Sequence, residues 1–314
     1  MNFGFVNEIL LAIIIGVTQG ITEFLPISST AHMRLVSGLI ANNRDFGVAS
    51  SNIIQLGTLL SIAYYFADDL KIYFQRIFQI LLNPIVECKK VLNTFRAWTK
   101  SEIIEENVDL TLSQLAIATL PIAVFGLILS EYVENLRSYQ IIAIILLFGS
   151  GIMYLGEYIY KIIKDKTDSS KPYSATETLM LGFFQMLAIF PGVSRSGSTI
   201  SGALMLGRNR TKSIRFSFLL SIPAIFLAGV LGLYEVISNI SDNPTPLLPE
   251  ASSWGETTIE LSVLSLIIAT LTAFVIGYLS LRWLLKFLST STFRPFIIYR
   301  IILALFLLII FYYF

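Results

Sequence analysis

The chain reads as an all-α polytopic membrane protein of two inverted repeats, each a re-entrant helical hairpin followed by three transmembrane helices. Three observations lead there. Of 314 residues, 55% are hydrophobic and only 14% charged, against roughly 25% charged in soluble domains. Two apolar segments, one per half, are interrupted by proline and a run of hydroxyls: GVTQGITEFLPISSTAHM (16–33) and GFFQMLAIFPGVSRSGSTI (182–200). Lysine and arginine, finally, crowd into a few connecting segments.

A full crossing needs roughly 20 mostly apolar residues. Six stretches supply them, at about 52–70, 112–130, 140–162, 213–237, 260–283 and 295–314. The segments at about 5–40 and 176–207 are broken in the middle, and each half is too short to span alone. They read as re-entrant hairpins, which are tolerated where protein or a wet cavity surrounds the break. The stretch 71–111 mixes charges of both signs with Phe78, Phe95 and Trp98; it reads as interfacial amphipathic helices or as a solvated connector. Pro244, Pro246 and Pro249 mark 238–257 as an irregular loop. The first apolar segment lacks a basic n-region and cleavage site, so it is expected to belong to the mature fold.

Most of the 22 basic residues lie in 71–100, 161–171, 208–215 and 282–294, whereas 238–259 has none and holds Asp242, Glu250 and Glu256. With the basic segments cytoplasmic, the six crossings alternate without exception. Both termini then fall outside, the first hairpin enters from outside, and the second from the cytoplasm. Three crossings per half is an odd number, so the halves (about 1–165 and 172–314) are inverted within a single integral-membrane domain. An internal match agrees: Gly16-x-x-Gln19 recurs as Gly182-x-x-Gln185, and Phe24-Leu25-Pro26 is echoed by Phe190-Pro191. A net charge of +1 argues against nucleic acid as a partner. The single cysteine, Cys88, excludes an internal disulfide and a cysteine-based metal site.

Polar groups at membrane depth are costly, so a site is the default reading for them, and paired broken segments point to the midplane. After each break a new helix starts, with Ser28, Ser29 and Thr30 at one start and Ser194, Ser196, Ser198 and Thr199 at the other. Helix starts offer unpaired N–H groups and partial positive charge to an anion. Arg195 adds a planar charged fork suited to phosphate oxygens, and Gly192 and Gly197 permit close backbone approach. Together these make a phosphate or diphosphate cradle. Glu23 before the first break, and Ser29 and His32 after it, add a nucleophile with a candidate base. Either His32 or Glu23 could take the serine proton, and Arg195 could stabilise charge on the phosphoryl group. Glu23 and Gln19 are the only candidates to hold a hard divalent cation, Mg²⁺ or Ca²⁺. Blander readings stand beside these. Ser37 and Ser221 read as serines bonded back to their own helices, Glu157 as interfacial, and Arg34 as a site residue or a headgroup contact. Arg300 could pair with Glu260 or reach an interface.

At these residues the chain resembles the integral-membrane undecaprenyl-diphosphatase family linked to bacitracin resistance. The carriers are Gln19-Gly20-Ile21-Thr22-Glu23-Phe24-Leu25-Pro26-Ile27-Ser28-Ser29-Thr30-Ala31-His32 and Pro191 through Thr199, with further similarity at 53–60, 118–121, 215–224, 273–279 and 299–304. The resemblance implies a bacterial plasma-membrane enzyme. It would remove one phosphate from a C55 polyprenyl diphosphate and so recycle the lipid carrier for peptidoglycan synthesis. By motif position it implies Glu23, Ser29, His32 and Arg195 as the catalytic set, and Gln19, Ser28, Thr30, Ser194, Ser196, Gly197 and Thr199 as substrate contacts. It also implies interdigitated inverted repeats and, for many members, stimulation by a divalent cation. Two positions depart from the family pattern. Gln19 stands where many members have glutamate and cannot serve as a base. Ala31 replaces the usual glycine and is expected to start the helix one residue earlier. The alternative function is a polyprenyl-phosphate flippase using the same cradle. Lipid partners are implied by the membrane setting; oligomeric state is not legible.

Overall fold

In hydrocarbon a chain can satisfy its backbone only internally, and sequence this apolar resolves accordingly into helices. The computed structural model describes residues 5–40, 46–100, 102, 107–167, 169, 171–242 and 261–313. Among them every regular element is helical. The first hairpin is α1 (Phe5–Thr22) and α2 (Ser29–Ile40); α3 (Gly47–Tyr65), α4 (Ala67–Leu82), α5 (Pro84–Thr99), α6 (Val108–Asn135) and α7 (Tyr139–Ile163) follow. The second hairpin is α8 (Ala175–Met186), a 3₁₀ turn (Leu187–Ile189) and α9 (Arg195–Met205); then come α10 (Arg210–Asp242), α11 (Val263–Thr290) and α12 (Arg294–Tyr313).

Four helices among the described residues are long and apolar enough to cross a membrane: Leu110–Leu129, Tyr139–Ile163, Arg210–Tyr234 and Val263–Thr290. The chain is therefore an all-helical, polytopic membrane protein. The other two expected crossings form α3 and α12. The first of these lies about five residues earlier than hydropathy places it: residues 47–51 fall before the expected crossing but are helical, and the helix stops at Phe66 (φ −101°, ψ 29°). The stretch after it folds as two helices rather than an extended connector. Within α4 no residue is buried, and Phe74, Phe78 and Leu81 are exposed. Of the expected loop 238–257, the first residues continue α10 to Asp242; residues 243–260 lie outside the described set.

The packing order crosses between halves of the chain. Helix α1 lies along α11 and α8 along α6; α3 is held between α10 and α11, and α7 between α9 and α12. Close approach needs small residues, since packing rather than water exclusion drives association in lipid. A Cβ added to Gly16 would stand 2.5 Å from the Ala269 carbonyl oxygen on α11, and one on Gly182 would stand 2.8 Å from the Ala118 carbonyl oxygen on α6. The main core runs through the first break: Phe24 and Ile27 join Met153, Ile200, Phe218 and Leu281, with Phe24 edge-on to Phe218 at 5.7 Å.

The basic segments fold together around the start of α10 and the end of α7. Arg210 grips Glu157 through both guanidinium nitrogens, at 2.8 and 2.7 Å, and Glu157 also accepts the Phe293 amide at 2.8 Å. Glu157 thus forms an ion pair that ties α7, α10 and the start of α12. Arg208 holds Glu177 and Arg215 holds Asp69. Arg34 is corrected. It is 1% exposed, with its guanidinium 4.5 Å from the Tyr139 ring centroid, so helix packing takes it away from headgroups and from the cavity described below.

Candidate active site

Each hairpin turns by the same local device. Proline removes one backbone N–H from a helix and biases its predecessor toward extended backbone, which Phe190 adopts (φ −76°, ψ 120°). Ser28 comes two residues past Pro26 and Ser194 three past Pro191. Ser28 and Ser194 both sit in the left-handed region at φ 74°, the only such non-glycine residues described. That conformation is uncommon for a side chain. Each serine offsets its strain by capping the helix it starts. Ser28 Oγ accepts the Ala31 N–H at 3.3 Å and Ser194 Oγ accepts the Gly197 N–H at 3.3 Å. Thus α2 begins at Ser29 and α9 at Arg195, each directly after its capping serine. Ala31 does not start its helix earlier, because the cap decides the start and its geometry is the same with Ala31 as with Gly197. The breaks also touch: a Cβ on Gly197 would lie 3.4 Å from Pro26 Cβ.

Glu23 is the hub between the two breaks and is buried. Its Oε2 accepts the Ser29 hydroxyl at 2.8 Å and the Gln19 amide at 2.9 Å, while Oε1 accepts Arg195 Nη2 at 3.0 Å. Arg195 Nη1 is buried with no hydrogen-bond partner among the described residues. A buried unmet donor is costly, and this one belongs to a side chain that lines a cavity of about 820 Å³. Gln19, Glu23, Ser28, Ser29, Thr30, Ser194 and Arg195 all line that cavity. The starts of α2 and α9 thus converge on it, with the first-turn amides that a helix leaves without internal partners.

Four of the expected site residues do not line it. His32 shares a helix with Ser29 but turns away from it. Its Nδ1 lies 2.8 Å from the Ser28 carbonyl, its Nε2 lies 2.6 Å from the Tyr299 hydroxyl, and its ring stacks on Tyr299. A nitrogen facing a carbonyl must carry the proton, so Nδ1 donates to Ser28, and in the neutral imidazole Nε2 accepts from Tyr299. Thr199 donates to the Arg195 carbonyl at 2.8 Å and meets Ser217. Ser196 is fully buried near Ser194, and Gly197 lies at the contact between the two breaks. Helix phase explains these placements: Ser29, Thr30 and Met33 share the face of α2 that looks into the cavity, and α9 presents only its first residue, Arg195.

Composition alone did not single out Ser51, Asn52 and Gln55 of α3 or Arg137 between α6 and α7, yet these line the cavity as well. The available signal was polar residues at i, i+1 and i+4 on one face of an expected crossing. The rest of the wall is apolar: Ile122, Ala123 and Leu127 of α6 face Ala224, Ile225 and Leu231 of α10. Pro121 and Pro223 stand immediately before these two stretches, inside their helices, where a proline removes one intrahelical bond and bends the helix.

For a divalent cation the donor set is poor. Glu23 is the one carboxylate among the lining residues, and both its oxygens are already engaged. Mg²⁺ and Ca²⁺ take six or more oxygen ligands, and no group of three or more acidic, histidine or cysteine side chains able to hold a metal occurs among the described residues. These residues do not fit a resident metal; an ion carried on the phosphates would be substrate-borne.

Residues 12–306 match the family described as bacitracin resistance protein BacA. The chain is 35% identical over 299 residues to an undecaprenyl-diphosphatase of Paenarthrobacter aurescens (strain TC1), covering 94% of each. It is 36% identical over 297 residues to that of Chlorobium phaeobacteroides (strain BS1), covering 93% of each. The undecaprenyl-diphosphatase of Micrococcus luteus is 33% identical over 295 residues, again covering 93% of each. The matched span contains both breaks, Glu23, Ser29 and Arg195, and the chain belongs to the bacitracin resistance protein BacA family.

Proposed function

We propose that this protein is a membrane phosphatase that hydrolyses undecaprenyl diphosphate to the monophosphate and phosphate. The hydrogen bond from Ser29 to Glu23, with Arg195 on the same carboxylate, carries the reading. A serine needs a base to become a nucleophile, and Glu23 Oε2 is already placed on its proton. Ser29 Oγ attacks the terminal phosphorus while Glu23 takes the hydroxyl proton. The bond from that phosphorus to the bridging oxygen breaks, and the departing polyprenyl monophosphate receives the proton. Water then attacks the phosphoserine and gives a proton to Glu23; the bond from phosphorus to Ser29 Oγ breaks, Glu23 returns the proton to Oγ, and phosphate is released. Arg195 Nη1 and the starts of α2 and α9 stabilise the charge on the transferring group. Gln19 holds Glu23 as an acceptor. His32, bound to the Ser28 carbonyl and Tyr299, orients the turn that carries Ser29.

The cavity suits such a substrate. Its polar end takes the diphosphate, and its volume is that of a site for a drug-sized ligand. The first isoprene units fit along the apolar seam between α6 and α10. The remaining tail lies in lipid against exposed side chains such as Leu127 and Leu231. The lining runs from the breaks to the start of α3, the end of α6 and the later part of α10, away from the basic ion pairs. The positive-inside rule therefore supports opening toward the outer face of the plasma membrane. Pairing of α1 with α11 and of α8 with α6 supports the inverted-repeat reading, with repeats at about 1–165 and 172–314. A flippase is not favoured, since carrying a lipid phosphate requires no serine bonded to a carboxylate.

Purified protein in detergent should release phosphate from a polyprenyl diphosphate, and rapid quenching should trap phosphate on Ser29. An active enzyme that never forms phosphoserine, even in a variant slow to dephosphorylate, would instead point to direct attack by water. For orientation, Asn43→Cys in a chain lacking Cys88 should react with an impermeant thiol reagent on intact cells. Labelling only after lysis would reverse the topology.

A further inference from the structure

One buried cation plays no part in the chemistry above. Arg300 of α12 is 0% exposed, which takes it away from any interface, and among the described residues its hydrogen bonds reach carbonyls and a hydroxyl; Glu260, the other partner the sequence allowed, lies outside the described residues. Its Nε donates to Ser150 Oγ at 3.0 Å and Nη2 to the Leu146 carbonyl at 3.1 Å, both on α7. The other two bonds go to the hairpin breaks: Nη1 to the Pro26 carbonyl at 3.3 Å and Nη2 to the Gly192 carbonyl at 2.8 Å. Pro26 and Gly192 are counterparts, each two residues before its left-handed serine. One planar guanidinium thus spans the two breaks, and the spacing of its nitrogens is set by covalent geometry. The fold makes room for it. A Cβ on Gly149 would come 2.4 Å from Arg300 Nη2 and 2.7 Å from the Val193 carbonyl oxygen.

We propose that Arg300 is a positioning residue for phosphoryl transfer. It locks the first break, which carries Glu23 and Ser29, in register with the second, which carries Arg195. It also sets a permanent positive charge behind the phosphate cradle. The inference rests on the phosphatase reading. A break in a membrane helix leaves carbonyls without helical partners, and each is costly in hydrocarbon. Separate donors could satisfy Pro26 and Gly192 independently. A single fork bonded to both makes their separation rigid, and that separation sets the distance from the Ser29 nucleophile to Arg195. Small misplacement of reacting groups is expensive in rate, on the order of 100-fold for about 1 Å.

The test compares wild type with Arg300→Lys, which keeps the charge but cannot bridge both carbonyls, and Gly149→Ala, which pushes on the same guanidinium. Phosphate release from a polyprenyl diphosphate is measured in detergent, with thermal unfolding and monodispersity as folding controls. Expected are kcat values down on the order of 100-fold and KM within a few-fold, for protein that remains folded. The Arg300→Lys penalty should largely disappear in an Arg195→Ala background, because the two act through one geometry. Full kcat per folded molecule in Arg300→Lys, or penalties that simply add with Arg195→Ala, would overturn the proposal and leave Arg300 a structural staple. If Arg300→Lys does not fold, Gly149→Ala decides by the same readouts. A wild-type protein that releases no phosphate would instead count against the phosphatase reading itself.

Discussion

The two hairpins share a backbone and differ in chemistry. A 166-residue offset relates Gln19 to Gln185, Pro26 to Gly192 and Ser28 to Ser194. Each has a proline break, a serine at φ 74° that caps the next helix, and a carbonyl held by Arg300. At the first helical position one hairpin presents Ser29 and the other Arg195. Where the first has Glu23, the second has Ile189. The consequence shows at the glutamines. Gln19 donates to Glu23 at 2.9 Å, whereas Gln185, fully buried, has neither side-chain polar atom bonded among the described residues. A cradle for phosphate therefore needs only a backbone turn and a cap, and can be built twice. A nucleophile needs a carboxylate at one particular position, which is present once.

That contrast can be broken first at the reactive hairpin. Ser29→Ala should abolish phosphate release, by about 1,000-fold or more, as expected for loss of a nucleophile. Glu23→Gln should lose about 100- to 10,000-fold in kcat, the range for a missing general base, while still binding lipid. Steady-state kinetics on both variants check this, and near-wild-type turnover in Glu23→Gln would return the base role to His32. In the second hairpin, Arg195→Lys should cost about 100- to 1,000-fold, since one donor to the developing charge is lost and a point charge cannot serve Glu23 and phosphate together. The mildest changes fall at the paired glutamines, and in opposite senses. Gln19→Leu should reduce kcat by roughly 10- to 100-fold, because one hydrogen bond to a charged group contributes about 1.5–3 kcal/mol. Gln185→Leu should leave turnover unchanged, with thermal stability equal to or above wild type, because burying an unbonded amide costs about 1–3 kcal/mol. Loss of activity in Gln185→Leu would show that the second hairpin keeps a polar function.

Much of this was legible from the chain. Apolar length marked the crossings, proline followed by hydroxyls marked both breaks, and clustered lysine and arginine marked one face. Residues with unmistakable cost in lipid, Glu23 and Arg195, were therefore readable as a site. The α3 boundary was misread because its polar residues lower hydropathy while facing the cavity, so a lipid-based scale leaves them outside the crossing.

Sequence by itself determined the helical class, the two breaks and the residue types gathered there, since each follows from local chemistry: backbone satisfaction in lipid, the missing N–H of proline, the cost of buried charge. Only the tertiary structure decided which of those residues act together. Glu23 rather than His32 accepts the hydrogen bond of the Ser29 hydroxyl, while the imidazole pairs with Tyr299, 267 positions away. Ser196 and Thr199 lie beyond the cavity because helix phase turns them inward. Arg300 reaches the Pro26 carbonyl across 274 positions. Side-chain direction depends on the phase of a helix and on what packs against it, and a pattern of residue types along one chain carries neither.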